Sequence, residues 1–173
     1  PYKINSNITI GPKKINCDLE ISGNPTITLT GNLWIAGNVD IKNNPTIKVS
    51  SSLSGKTIAI IADNPSNRTS ESKIEIENSV VVQGAGTGSY VLFLSQNLSA
   101  EQGGGERAIE VQNSASVDIL VYAGHGEILL KNNIGLKEVT AYRVRLQNSA
   151  QVSYEIGAAS LLFTGGPSGG WEL

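Results

Sequence analysis

The 173-residue chain has no methionine, one cysteine, one histidine, two tryptophans and two phenylalanines. Each shortage excludes something. Cys17 alone can build neither an intrachain disulfide framework nor a cysteine-based metal site, so it reads as a small apolar or half-exposed residue. A Ser-His or Cys-His hydrolase would have to use His125, which sits in "YAGHGE", a turn between strands, and nothing marks it for that role. Charge is sparse as well: charged residues make up 16% of the chain and the net charge is -2, which gives no electrostatic case for nucleic acid or an anionic membrane. No run approaches the roughly 20 apolar residues of a membrane span, and none has the make-up of a signal peptide. Helical patterning is missing too, because no stretch of ten or more residues carries apolar side chains at three- and four-residue spacing.

What is present is alternation. In "TITL", Ile27 and Leu29 point one way and the threonines the other; in "NLWIAGNVDI", Leu33, Ile35, Val39 and Ile41 oppose Trp34, Asn38 and Asp40. "KIEIEN", "AIEVQN" and "YRVRLQN" repeat the scheme, apolar in and charged out. Period two is the strand signature. Nineteen glycines, many asparagines and serines, and abundant Ile and Val suit many short strands joined by turns.

The strands recur with a period. Asn-Pro-Thr-Ile occurs at Asn24 and again at Asn44, and related asparagines open "NSVV" at Asn78, "NSAS" at Asn113, "NIGL" at Asn133 and "NSAQ" at Asn148. Recurrence near 20 residues predicts a stacked-repeat fold over 1–173, a single domain: a single-stranded, right-handed parallel β-helix of about eight coils. Asn tolerates the left-handed corner conformation, and aligned amides can bond along the stack. The two longer intervals read either as one lap with an insertion or as two short laps. The polar stretches Asp63–Ser72 and Ala100–Arg107 are the candidates to bulge outward. Tyr142 and Tyr154 share the phase of Val144, Leu146, Val152 and Ile156 and are expected in the core.

Motifs that resemble chemistry dissolve on inspection. "SGKT" at Ser54–Thr57 lacks the upstream Gly of a phosphate-binding loop and precedes a strand; "GAGTGS" at Gly84–Ser89 lacks the last Gly of a dinucleotide fingerprint. The threonine row of "TITLT" aligns one lap on with Thr46, Lys48 and Ser50, too short for an ice-binding array. Asp18, Asp40, Asp63 and Asp118 are scattered, and Glu75, Glu77 and Glu110 lie on outward strand positions, so no convergent pair for glycoside chemistry is evident. No catalytic residue, metal ligand or cofactor is expected. Three aromatics remain as candidate surface contacts for sugars or a protein partner: Trp34, Tyr122 and Trp171.

Taken in order, "GNLWIAGNVDIKNNPTIKV", "ILVYAGHGEILLKNNIGLKEVTAYRVRLQNSAQVSYE" and "LLFTGGPSGGWEL" resemble the C-terminal β-helix domain of PilX-type pilus-assembly proteins. Pro167 and the additional Ser168 in "GGPSGG" depart slightly from that family's closing glycine-rich, tryptophan-bearing tail. The resemblance covers essentially the whole chain. It implies a type IV pilus-like minor pilin displayed at the bacterial cell surface, with other pilins or pilus-assembly proteins as partners. A surface polysaccharide is a further candidate ligand, and membrane contact would come only through an N-terminal helix upstream of Pro1. No catalytic residues come with it. The competing expectations are a self-assembling β-helix scaffold and a carbohydrate-binding or polysaccharide-lyase-like β-helix.

Overall fold

The structure, a computed structural model, describes residues 1–113, 118–132 and 134–152, and nearly every element is a short β-strand. The chain begins with Tyr2–Ile4 (β1), Ile8–Ile10 (β2) and Lys13–Ile15 (β3), then Leu19–Ile21 (β4), Thr26–Leu29 (β5) and Leu33–Ile35 (β6). Val39–Ile41 (β7), Thr46–Val49 (β8) and Ile58–Ala62 (β9) follow, then Ile74–Glu77 (β10), Val81–Gln83 (β11) and Val91–Ser95 (β12). The last five are Arg107–Gln112 (β13), Ile119–Lys131 (β14), Gly135–Leu136 (β15), Glu138–Gln147 (β16) and Gln151–Val152 (β17). A 3₁₀ turn at Ser51–Leu53 is the one helical element among the described residues.

From β1 through β10 each strand pairs in parallel with the strand three places later. The chain therefore returns to itself every three strands, one from each of three faces. In the later laps the corner from third face to first disappears into continuous strands. The start of β14 pairs with β12 and its end with β13, and β16 follows β14 along both parts. The protein is all-β and parallel, and the described residues make six laps and part of a seventh.

Register fixes the lap length. Tyr2, Leu19, Val39, Ile74, Ile109, Ile128 and Val144 lie one above another, so a lap takes 16 to 20 residues except for two of 35. The two long laps are single laps with insertions. One pair of inserted loops, 63–73 and 96–106, stacks through polar bonds: Ser95 Oγ donates to the Ser72 carbonyl at 2.6 Å and Asn97 Nδ2 to the Glu71 carbonyl at 2.7 Å. Ser72, Ser95, Asn97 and Ser99 can thus be buried without orphaned groups. A second pair stacks at the corner between second and third faces. The loops holding "SGKT" and "GAGTGS" bond there, the Gly55 amide to the Ala85 carbonyl at 3.1 Å and Ser89 Oγ to the Lys56 carbonyl at 2.6 Å.

Inside, alternate residues of every face meet at the axis. Ile27, Leu29, Leu33, Ile35, Ile41, Ile47, Ile60, Ile76 and Phe93 have no solvent exposure. Each such side chain stabilises the fold by about 1.5–3 kcal/mol relative to exposure. Among the described residues the column runs as far as the seventh lap. Tyr142, Val144 and Leu146 of β16 and Val152 of β17 are 40–54% exposed. Tyr142 is thus a surface residue rather than a core one, while Tyr154 and Ile156 lie outside the described residues.

The corner between first and second faces explains the asparagine repeat. Register places Gly23, Asn43, Asn78, Asn113, Asn132 and Asn148 in one column, and all six have positive φ, from 51° to 85°. Glycine and asparagine are the residues that occupy this left-handed region at least cost. Asn24 and Asn44 stand one residue further on and form the amide ladder instead, Asn44 Nδ2 donating to Asn24 Oδ1 at 3.3 Å. Asn148 Nδ2 donates to Asn132 Oδ1 at 3.0 Å in the same manner. Asn133 lies outside the described residues.

Candidate contact face

The third face brings two of the three candidate aromatics onto one column. Parallel register stacks Lys14, Trp34, Ile61, Leu94, Tyr122 and Thr140 on its outer side, one from each lap. A neighbouring outer column carries Ala59, Leu92, Leu120 and Glu138. Tyr122 is 41% exposed and Trp34, Ile61, Leu92 and Leu94 are half-buried, whereas Leu120 is buried. Lys14 Nζ sits 4.9 Å from the centre of the Trp34 ring, a cation–π contact, and Trp34 Nε1 donates to the Asp63 carbonyl at 3.4 Å. The indole is therefore held from both sides along the stack, by Lys14 of the lap below and the Asp63 carbonyl of the lap above. Trp171 lies outside the described residues.

The first face has the opposite chemistry. Its outer column runs Lys3, Glu20, Asp40, Glu75, Glu110, Leu129 and Arg145. Cations tie most of the carboxylates: Lys42 reaches Asp40 at 2.6 Å, and Glu110 takes Lys131 at 2.5 Å and Arg107 at 2.9 Å. Burial alone would push Glu110 up, but the hydrogen bonds and charges of Lys131 and Arg107 outweigh it and hold the carboxyl below its ordinary value. Glu75, directly beneath it in register, moves the other way. Partial burial raises it first, then a hydrogen bond and charge repulsion from Glu77, with Glu110 and Asp40 adding to the repulsion.

A cleft of about 370 Å³ opens against this face between Lys73, Glu75, Glu106, Arg107 and Glu110. Its charges are largely spent on each other, since Lys73 pairs with Glu106 at 2.8 Å and Arg107 with Glu110. Among the described residues no group of three or more His, Cys, Asp or Glu side chains could hold a metal ion. His125 lies where β14 turns from third face to first, and its Nδ1 is 2.7 Å from Glu101 Oε2 in the loop below. The pair ties a corner to a loop. On the second face Thr28 stacks between Thr9 and Lys48, so the threonine row ends after two laps.

Sequence reasoning found Trp34 and Tyr122 separately and missed Ile61 and Leu94 between them. Both lie in continuous apolar runs, "IAIIA" and "VLFLS", where period-two reading does not say which residues face out. Aligning the laps supplies that information. The chain matches no family model, no curated protein and no solved structure. No helix among the described residues is long and apolar enough to cross a membrane.

Proposed function

We propose that this chain is a right-handed parallel β-helix of about eight coils that serves as a non-catalytic display module of a type IV pilus-like minor pilin at the bacterial surface. The right hand follows from the general preference of parallel crossover connections. The observation that carries a contact role is the outer apolar column Trp34–Ile61–Leu94–Tyr122, on a fold whose other described faces turn threonine and charge to water. A continuous aromatic and aliphatic stripe suits association with another macromolecule better than turnover of a small one. The order of the quoted segments, ending in "GGPSGGWEL", supports pilins or pilus-assembly proteins as partners. The test is to shear appendages from cells making the tagged full-length protein and probe the pilus fraction. Co-fractionation with pilin is the expected result; retention in the cytoplasm of fully piliated cells would overturn the reading.

A further inference from the structure

From the first lap to the sixth, the outer column of the third face reads Lys14, Trp34, Ile61, Leu94, Tyr122 and Thr140, with Glu138 two residues before Thr140 on the last. Read from either end, the order is nearly the same in kind. A polar lap comes first, cationic at one end and anionic at the other. An aromatic follows, and a branched aliphatic stands on each side of the middle. A surface of this type is self-complementary, which is what a two-fold symmetric interface requires.

We propose that the third face pairs with the third face of a second copy of this chain, the two molecules running antiparallel about a two-fold axis that lies along the strand direction between the third and fourth laps. Rotation about that axis keeps position along the strand and reverses lap order. Ile61 then meets the partner subunit's Leu94, and Trp34 meets the partner subunit's Tyr122. Lys14 comes beside the partner subunit's Glu138. The parallel alternative that stacks this column on itself would set Lys14 on its own copy, so like charges select against it. Aromatic and aliphatic residues at the centre with charge at the rim is the usual anatomy of a specific interface.

Clefts place parts of the inserted loops against the other two faces. Loop residues Gly105 and Glu106 form their cleft with the first face, and Ser50, Ser51, Gly84 and Ala85 form another, of about 300 Å³, with Thr28 and Lys48 of the second face. The contact itself is small. Strands of five residues span about 17 Å and six laps span about 29 Å, so the pair would bury on the order of 1,000 Å² in total, the lower end for specific association. Dissociation in the micromolar to millimolar range follows. Pairing of this kind would hold in any compartment, so it stands apart from the pilus reading.

The test is sedimentation equilibrium of the full chain between about 1 μM and about 1 mM, a range set by that area. A monomer–dimer equilibrium is expected, weakened at least roughly ten-fold by Leu94→Glu, which puts a charge at the centre of the contact. Circular dichroism shows whether that variant folds, and Tyr122→Glu, at a more exposed position, replaces it if it does not. Lys14→Glu should weaken pairing about three-fold by placing like charges together, and adding Glu138→Lys in the same chain should restore it. A strict monomer at the highest concentration would overturn the proposal, as would dimerisation untouched by both central variants. Failure of the double reversal to restore pairing would overturn the antiparallel arrangement.

Discussion

The first and third faces of this molecule are made from the same inner parts and turn opposite surfaces to water. On the first, Ile41, Ile76 and Val111 stack toward the axis while Asp40, Glu75 and Glu110 stack outward. On the third, Ile60 and Phe93 stack inward while Ile61, Leu94 and Tyr122 stack outward. A strand obliges its residues to alternate, so the two sides of one lap are free to serve different ends. The inner side must satisfy the lap above and the lap below. The outer side answers to solvent, to inserted loops such as the one whose Asp63 carbonyl holds Trp34 Nε1, and to whatever docks there. The difference between the faces is therefore not dictated by the core, which is built alike beneath both.

If the inner sides are equivalent, equivalent truncations should cost the same. Ile76→Ala on the first face and Ile60→Ala on the third, both without solvent exposure, should each lose about 3 kcal/mol in urea unfolding. A gap of more than about 3 kcal/mol between them would break the equivalence, being wider than the usual spread for such sites. The corner column is expected to matter less. Asn78, at φ 60°, should lose about 1 kcal/mol on replacement by Ala and much less on replacement by Gly.

Outer substitutions sharpen the contrast. Glu110→Gln removes the partner of Lys131 and Arg107 and should cost about 0.5–1 kcal/mol at low ionic strength, shrinking as salt is added. Leu94→Gln on the third face should change monomer stability by less than about 0.5 kcal/mol, with no salt dependence. The smallest effect belongs to Glu75. Its folded value lies above the ordinary 4.5, so the folded state holds this proton more tightly than the unfolded chain. The associated stability is fully present below 4.5 and is lost as pH rises through the folded value. Glu75→Gln should accordingly raise Tm slightly at pH 7, with the gain gone by about pH 4. A gain that persisted in acid would show that charge was not its cause.

Much of this fold was legible because alternation and recurrence are local signals. The inward assignment of Ile27, Leu29, Leu33, Ile35, Val39 and Ile41 needed only period two, and all six are buried. The asparagine repeat disclosed the corner but not which residue takes the left-handed turn. Gly23-Asn24 and Asn43-Asn44 each offer two suitable residues and the first takes the turn, whereas at Asn78-Ser79 both residues have positive φ. The stacking of "SGKT" on "GAGTGS" left no trace in either segment, because a loop bonded to another loop has no periodicity. The contact face was half legible. Tyr122 and Trp34 stand out by residue type, whereas Ile61 and Leu94 acquire meaning only once laps are aligned.

Everything said of the faces depends on that alignment, and a cross-link reads it directly. In a Cys17→Ser background, Ile61→Cys with Leu94→Cys places two thiols on neighbouring laps in register. Their Cα atoms lie about 4.8 Å apart, inside the range a disulfide spans. Ile61→Cys with Leu92→Cys shifts one partner by two residues and opens the distance to about 8 Å, outside that range. Mild oxidation of monomer should close the first pair within the chain and leave the second reduced. Closure of the second pair, or of neither, would contradict the register on which the outer column rests.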